Sequence, residues 1–291
     1  MEELILIDIG GTTIKFGVMH KGELEVFNAV KTPKTLAGFY EVLTTNVTEL
    51  KKSYPAKGVA ISSPGAVDKK EGVIKGASAI PYIHNFKIQK KLSELFDLPV
   101  SLENDANCAA LAEIYTGAGK DANNAIFLVI GTGLGGAVVI DKKVYHGSHL
   151  LAGEFGYRLT ADDMIVNQAV SPVSLAKRYT EKTGKNGTGK EVFELAKTGD
   201  EFAELEVDRA VKVLANLIYD LQYSFDPELF IIGGAISENK DLIPMIEQEL
   251  TKILQKVKIV DLIPKLTVCH HRTNANLLGA ALDFIRTERN Q

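Results

Sequence analysis

The chain is predicted to be an α/β protein made of two related halves, and three observations carry that prediction. Residues 125–140, AIFLVIGTGLGGAVVI, run apolar, turn through glycines and run apolar again, and residues 3–18, ELILIDIGGTTIKFGV, do the same. Apolar segments of strand length then alternate with segments of helical spacing along the rest of the chain. At 291 residues the chain exceeds the usual single domain and suits two. A motif repeated in both halves suggests two half-molecules, each offering a glycine loop to a shared cleft.

In the first half, the opening hairpin turns at Gly10-Gly11-Thr12-Thr13, with Asp8 at the end of its strand and Lys15 beyond the turn. Asp is depleted in strands. Its place beside glycines fits either a hydrogen-bonded turn cap or a ligand for a hard divalent cation that bridges phosphates. A strand continues over residues 24–30. Residues 36–52 space Leu36, Phe39, Tyr40, Leu43, Val47 and Leu50 as a helix does. Residues 58–62 read as a buried strand leaving through Ser63-Pro64-Gly65, where Gly65 serves a turn or the close approach of a ligand. Residues 72–86 lack periodicity and are expected to be loop. A short helix over 88–96 and a strand over 99–102 lead to Glu103-Asn104-Asp105-Ala106-Asn107, after which helical spacing resumes. A helix cap needs one side chain, so of Asn104 and Asp105 one is surplus, and a surplus carboxylate at a strand-to-helix junction is a candidate base.

In the second half, the turn Gly131-Thr132-Gly133-Leu134-Gly135-Gly136 either closes a hairpin or aims backbone N–H groups at phosphate oxygens. Residues 146–157 form a loop with one acid, Glu154, between Gly153 and Gly156. Helices are predicted over 170–183, 190–197 and 201–225. The last places Val207, Ala210, Val211, Leu214, Leu217, Ile218 and Leu221 on one side, as the spine of its domain. The strand 229–232 ends in Gly233-Gly234, suited to a nucleotide or to close packing. A helix over 241–254, a strand over 265–269 and a helix over 275–286 complete the order. His270 and His271 are adjacent rather than one helical turn apart and are read as incidental.

Composition narrows the function classes. With 45% hydrophobic and 24% charged residues the chain resembles an ordinary globular enzyme. A net charge of −4 with dispersed Lys and Arg marks no nucleic-acid surface. No apolar run approaches the roughly 20 residues that span a bilayer, so no membrane partner is expected. The early strand leaves no room for a signal peptide, which makes the cytoplasm the expected location. Two cysteines, Cys108 and Cys269, supply neither a disulfide framework nor a zinc cluster.

Taken in order, Asp8-Ile9-Gly10-Gly11-Thr12, Ile61-Ser62-Ser63-Pro64-Gly65, Glu103-Asn104-Asp105, Gly131-Thr132-Gly133-Leu134-Gly135-Gly136, Gly153-Glu154-Phe155-Gly156 and Gly233-Gly234 resemble the ROK family (repressor, open reading frame, kinase) from Glu2 to about Arg286. The resemblance implies two actin-like, ribonuclease H-like α/β domains with a cleft between them, divided as 1–105 and 106–274 with the C-terminal helix 275–291 joining the first. It implies ATP with Mg²⁺ as cofactors and phosphoryl transfer to a sugar hydroxyl. By motif position Asp105 resembles the catalytic base, with Gly65, Asn104 and Glu154 around the sugar. Gly10, Gly11, Thr12, Thr13, Lys15, Gly131, Thr132, Gly133, Gly135, Gly233 and Gly234 fall on the nucleotide side. Asp8 resembles the carboxylate that holds Mg²⁺, through water.

Two departures stand out. Many relatives carry a His and then a zinc-binding cysteine cluster after the Glu154 loop. Here Tyr157 takes the His position and residues 158–166 contain no Cys, so no zinc is expected. A further sugar-binding Glu of the family falls at about Asn167, which the resemblance places with Gly65, Asn104 and Glu154 on the sugar side. A sugar edge lacking those groups suits a different or substituted sugar. The expected acceptor is thus the 6-hydroxyl of glucose or of a β-glucoside. The alternatives are mannose, fructose or an N-acetylhexosamine, and a sugar-sensing regulator without catalysis. Relatives are often dimers, which makes a homodimer compatible with the resemblance.

Overall fold

The protein is described from a computed structural model over residues 3–258 and 262–288. Glu2 and residues 289–291, where the resemblance begins and the expected last helix ends, lie outside the described residues. The strands of the first half are β1 (Leu4–Ile9), β2 (Thr13–His20), β3 (Glu23–Val26), β4 (Val30–Lys31), β5 (Gly58–Ser63), β6 (Ala66–Asp68), β7 (Val73–Lys75) and β8 (Val100–Asn104). Its helices are α1 (Leu36–Ser53), α2 (Ile88–Phe96) and α3 (Asp105–Thr116). Then follow β9 (Ala125–Ile130), β10 (Leu134–Ile140), β11 (Lys143–Val144), α4 (Val166–Val170), α5 (Pro172–Thr183), α6 (Gly189–Lys197), α7 (Glu201–Phe225), β12 (Leu229–Gly233), α8 (Leu242–Val257), β13 (Leu266–Val268) and α9 (Ala275–Glu288).

The described residues form two compact units. One takes in the chain up to Ala112, Gly147–Leu151 and the residues from Thr273 on; the other takes in Glu113–His146 and Ala152–Arg272. The first contains a six-stranded sheet in the order β3-β2-β1-β5-β8, with β4 also paired to β2. The second contains a five-stranded sheet in the order β11-β10-β9-β12-β13. In both, an antiparallel hairpin (β1-β2, β9-β10) is followed across the sheet by two strands parallel to its first arm. The repeated strand-turn-strand motif of the sequence is this repeated topology.

β1 reads as an unbroken apolar run because both its faces are covered, and all six of its residues are buried. On one face Ile5 and Ile7 meet Phe39, Leu43 and Val47 of α1 and Leu92 of α2. On the other, Leu4 and Leu6 meet Leu277, Ala281 and Phe284 of α9. α9 approaches so closely that a Cβ on Gly279 would lie 1.7 Å from the carbonyl oxygen of Cys108. In the second unit α7 is the spine, capped by Asp200, whose Oδ1 accepts from Ala203 N at 3.0 Å. All seven residues expected on its inner side are buried. At about 1.5–3 kcal/mol for each large apolar side chain removed from water, that stripe is a main source of the unit's stability.

Three expectations need correction. Residues 72–86 are not loop throughout: β7 pairs with β6 as a small hairpin, and Pro81–Ile83 make one 3₁₀ turn. The hairpin strands are too short for periodicity to reveal. The helix expected over 170–183 is α5 and starts at Pro172; Val170 ends a separate short helix, α4, which the sequence did not suggest, and the chain breaks at Ser171, whose Oγ caps α5 by accepting from Ser174 N at 3.2 Å. The proline lacks the N–H needed to continue α4 and suits the first turn of α5. The strand expected over 24–30 is divided into β3 and β4, each paired with β2.

Candidate functional site

In the first unit, β1 delivers Asp8 and then reverses at Gly10, whose N–H donates to the Thr13 carbonyl at 3.0 Å. Thr32 pins this turn: its Oγ1 donates to the Gly10 carbonyl at 2.6 Å and its N–H to the Thr12 carbonyl at 3.0 Å. Gly11, Thr12 and Thr13 are exposed at the tip. Asp8 is buried, and its Oδ1 accepts from Ser62 Oγ at 2.9 Å and from Asn276 Nδ2 at 3.0 Å. Both bonds fall on the same oxygen, so Oδ2 takes part in no hydrogen bond among the described residues. A carboxylate aimed by two neutral donors and retaining one oxygen fits a hard cation or its water. Lys15 lies opposite Asp8 in the hairpin register, and its Nζ donates to the Thr273 carbonyl at 3.3 Å.

The parallel pair β5-β8 brings Gly65 and Asn104 together. Gly65 adopts φ +95°, and its carbonyl accepts from Asn104 Nδ2 at 3.1 Å. A Cβ on Gly65 would lie 2.8 Å from Cε1 of His84, so only glycine fits this turn. Asn104 Oδ1 accepts from Asn107 N at 3.1 Å and thereby caps α3. The cap is therefore Asn104, and the surplus carboxylate is Asp105, whose Oδ1 accepts from Ala106 N at 2.8 Å.

Beneath this junction lies a charge cluster that sequence reasoning missed. Glu103, almost wholly buried, accepts through Oε1 from Asn104 N at 2.7 Å and from Asn107 Nδ2 at 2.9 Å. Its Oε2 lies 3.3 Å from Lys69 Nζ, which also donates to Asp283 Oδ1. Burial draws the Lys69 pKa down, but the Glu103 and Asp283 carboxylates outweigh it and hold the ammonium above the usual lysine range.

In the second unit the β9-β10 turn is closed by Gly131 N donating to the Gly133 carbonyl at 2.8 Å. Thr132 is exposed, and a Cβ on Gly131 would meet nothing within 4 Å. Leu134 N donates to Asn167 Oδ1. Gly136, by contrast, is glycine for packing, since a Cβ there would lie 2.6 Å from the Phe155 ring. Gly153 (φ +99°) and Gly156 rest against the Gly136 and Leu134 carbonyls, so the segment carrying Glu154 interlocks with β10. Glu154 is half-buried between them, and loss of solvent pushes its carboxyl above the usual carboxylate range.

The third glycine turn seats on the second. A Cβ on Gly234 (φ +84°) would lie 2.3 Å from the Ile130 carbonyl oxygen, immediately before Gly131. Past Gly234 opens a cavity of about 490 Å³ lined by Pro172, Lys190, Phe193, Ala235, Ile236 and Asn239. Nothing in the sequence singled it out, because its lining comes from α5, α6 and the turn after β12. His270 and His271 serve another purpose: their N–H groups donate to the buried Glu113 carboxylate at 2.7–2.9 Å, as does Ala118 N at 2.9 Å.

The first unit thus gathers Asp8 with the Gly10–Thr13 turn, and Gly65 with Asn104 and Asp105. The second gathers the Gly131–Gly133 turn with Asn167, Gly234 and the Glu154 segment. No helix among the described residues is long and apolar enough to cross a membrane.

Comparison with known proteins completes the picture. The model of the ROK family matches residues 4–286. A β-glucoside kinase of Listeria monocytogenes is 31% identical over 297 residues, covering 98% of each chain. A ROK family protein from Streptococcus pneumoniae, solved in complex with sucrose, superposes with a TM-score of 0.90 at 34% identity, covering 99% of this chain and 100% of that one. A ROK family glucokinase from Streptomyces griseus, solved with glucose and AMPPNP, superposes with a TM-score of 0.77 at 28% identity, covering 98% of this chain and 99% of that one.

Proposed function

Because the chain belongs to the ROK family, with its pair of actin-like α/β domains, and is an ATP-dependent sugar kinase, we propose that its acceptor is the 6-hydroxyl of glucose or of a β-glucoside. The observation that carries this reading is the end-to-end likeness to a β-glucoside kinase, joined to a strand-to-helix junction where Asn104 makes the cap and Asp105 does not. Exposed Tyr157, at the position where zinc-bearing relatives carry His, suits an acceptor with a substituent at one edge.

Phosphoryl transfer asks a protein chiefly for positioning and for relief of charge on the γ-phosphate. Asp105 orients the sugar hydroxyl and takes its proton as the oxygen bonds to phosphorus; the hydroxyl is too weak an acid to lose that proton beforehand. Asn104, Gly65 and Glu154 hold the sugar. The Gly10–Thr13 turn, Lys15, the Gly131–Gly133 turn, Gly135, Gly233 and Gly234 hold the nucleotide. Asp8 would hold Mg²⁺, through water, and the cation supplies neutralisation of phosphate charge.

The test is an assay of ADP release with glucose, cellobiose, simple β-glucosides, mannose, fructose and N-acetylhexosamines. Glucose or a β-glucoside giving the highest kcat/KM is the expected result. Preference for mannose, fructose or an acetylhexosamine overturns the acceptor. ADP release that no sugar stimulates favours the regulator.

A further inference from the structure

The side chain of Asn167 is committed to the glycine turn. α4, which carries it, is held at its C-terminal end by one arginine. Arg178 of α5 donates to the carbonyls of Gln168 and Ala169, the latter at 3.2 Å, and its Nε donates at 2.5 Å to Glu206 of α7. Glu206 is nearly fully buried and is paired at 2.8 Å with Arg209 as well. On this fixed platform the Oδ1 of Asn167 accepts from Leu134 N and lies 3.1 Å from where a Gly133 Cβ would be. The same oxygen lies 2.4 Å from where a Gly156 Cβ would be. Asn167 therefore fills the space between the Gly131–Leu134 turn and the segment that carries Glu154.

The consequence lies in the turn itself. Gly131 N is taken by the Gly133 carbonyl and Leu134 N by Asn167. The N–H groups of Thr132 and Gly133 make no hydrogen bond among the described residues. These are the groups available to an anion, and their direction is set by the bonds on either side of them. We propose that Asn167 is a positioning residue for the nucleotide: its amide oxygen fixes the turn so that the Thr132 and Gly133 N–H groups face phosphate oxygens. The proposal rests on the reading of this turn as the phosphate cradle of a sugar kinase, and it puts the effect of residue 167 on ATP rather than on the sugar.

The test compares the wild type with Asn167→Ala and Asn167→Asp, in kinetics with ATP and sugar varied separately, in AMPPNP binding by calorimetry, and in amide exchange of a peptide covering residues 128–136. In Asn167→Ala the AMPPNP Kd and the ATP KM should rise about tenfold, the equivalent of ~1.4 kcal/mol. The sugar KM should stay within about threefold, and exchange in 128–136 should accelerate without change in other peptides, as expected when a single hydrogen bond is lost. Asn167→Asp keeps an acceptor in place and should retain slow exchange. A rise in sugar KM with AMPPNP affinity unchanged overturns the proposal and makes Asn167 a sugar ligand. Unchanged AMPPNP affinity with unchanged exchange overturns it too, as does faster exchange throughout the protein. If the wild type phosphorylates no sugar, the reading as a kinase for these acceptors fails, while the calorimetric and exchange arms still decide the role of Asn167.

Discussion

Replacing Asp105 by Asn separates catalysis from folding, because the two effects differ in size. The helix cap is unaffected because Asn104 makes it. The bond from Ala106 N to Oδ1 survives, since an amide oxygen accepts as a carboxylate does. The charge removed from the first turn of α3 is a favourable partner of the helix dipole, worth about 0.3–1 kcal/mol. For a chain of this size that lowers Tm by about 0.5–2 °C. Catalysis loses the group that receives the proton, for which general-base removal costs about 10²–10⁴ in rate. The corresponding barrier is higher by ~2.7–5.4 kcal/mol, several times the folding effect. Steady-state kinetics on the best sugar, with a thermal melt on the same preparation, should give kcat at least ~100-fold lower, sugar KM within a few-fold and a melt almost unmoved. A kcat within tenfold of wild type would refute the role of Asp105, because the shape and the cap are both retained.

Other perturbations follow the same logic. Asp8→Asn should raise the Mg²⁺ concentration for half-maximal activity by ~10–100-fold, and an unchanged Mg²⁺ titration would remove Asp8 from the metal's side. Burial raises the Glu154 pKa, so sugar KM should increase as pH falls through a value above the ordinary carboxylate range; a flat profile down to that range counts against an ionised Glu154 at the sugar. The same shift means the folded chain binds this proton more tightly than the unfolded one. Its contribution to stability is present at low pH and lost as pH rises through the folded value, so Glu154→Gln should be relatively more stable than wild type at neutral pH. Lys69→Met removes the ammonium held between the buried Glu103 and Asp283 carboxylates and should cost about 3–5 kcal/mol in denaturant unfolding. That loss should shrink as pH is lowered and the carboxylates protonate, and a pH-independent loss would mean that packing rather than charge is responsible.

What the sequence disclosed was what short-range pattern controls. The apolar stripe of α7, the buried runs of β1 and β5 and the glycine turns after them all stand in the chain as local signals. Asp8 could be picked out because an acid at a strand end is unusual, but its orienting partners lie 54 and 268 residues away, in Ser62 and Asn276. The same holds for Lys69 and Asp283 under the Asp105 junction, and for the cavity beside Gly234. Only folding brings these together. Glycine carries two meanings that sequence does not separate: Gly131 borders open space, whereas Gly136, Gly153 and Gly156 make room for one another's segments. The Ser171-Pro172 start of α5 was written locally, as a cap residue followed by a proline.

One phosphoryl group passes from ATP to a sugar oxygen. Incubation with γ-¹⁸O-labelled ATP and cellobiose or glucose, followed by mass spectrometry, follows that group directly. Labelled oxygens are expected in a sugar phosphomonoester at the 6-position, formed by the wild type and nearly absent with Asp105→Asn. Label found only in inorganic phosphate, released at the same rate with or without sugar, would contradict this transfer.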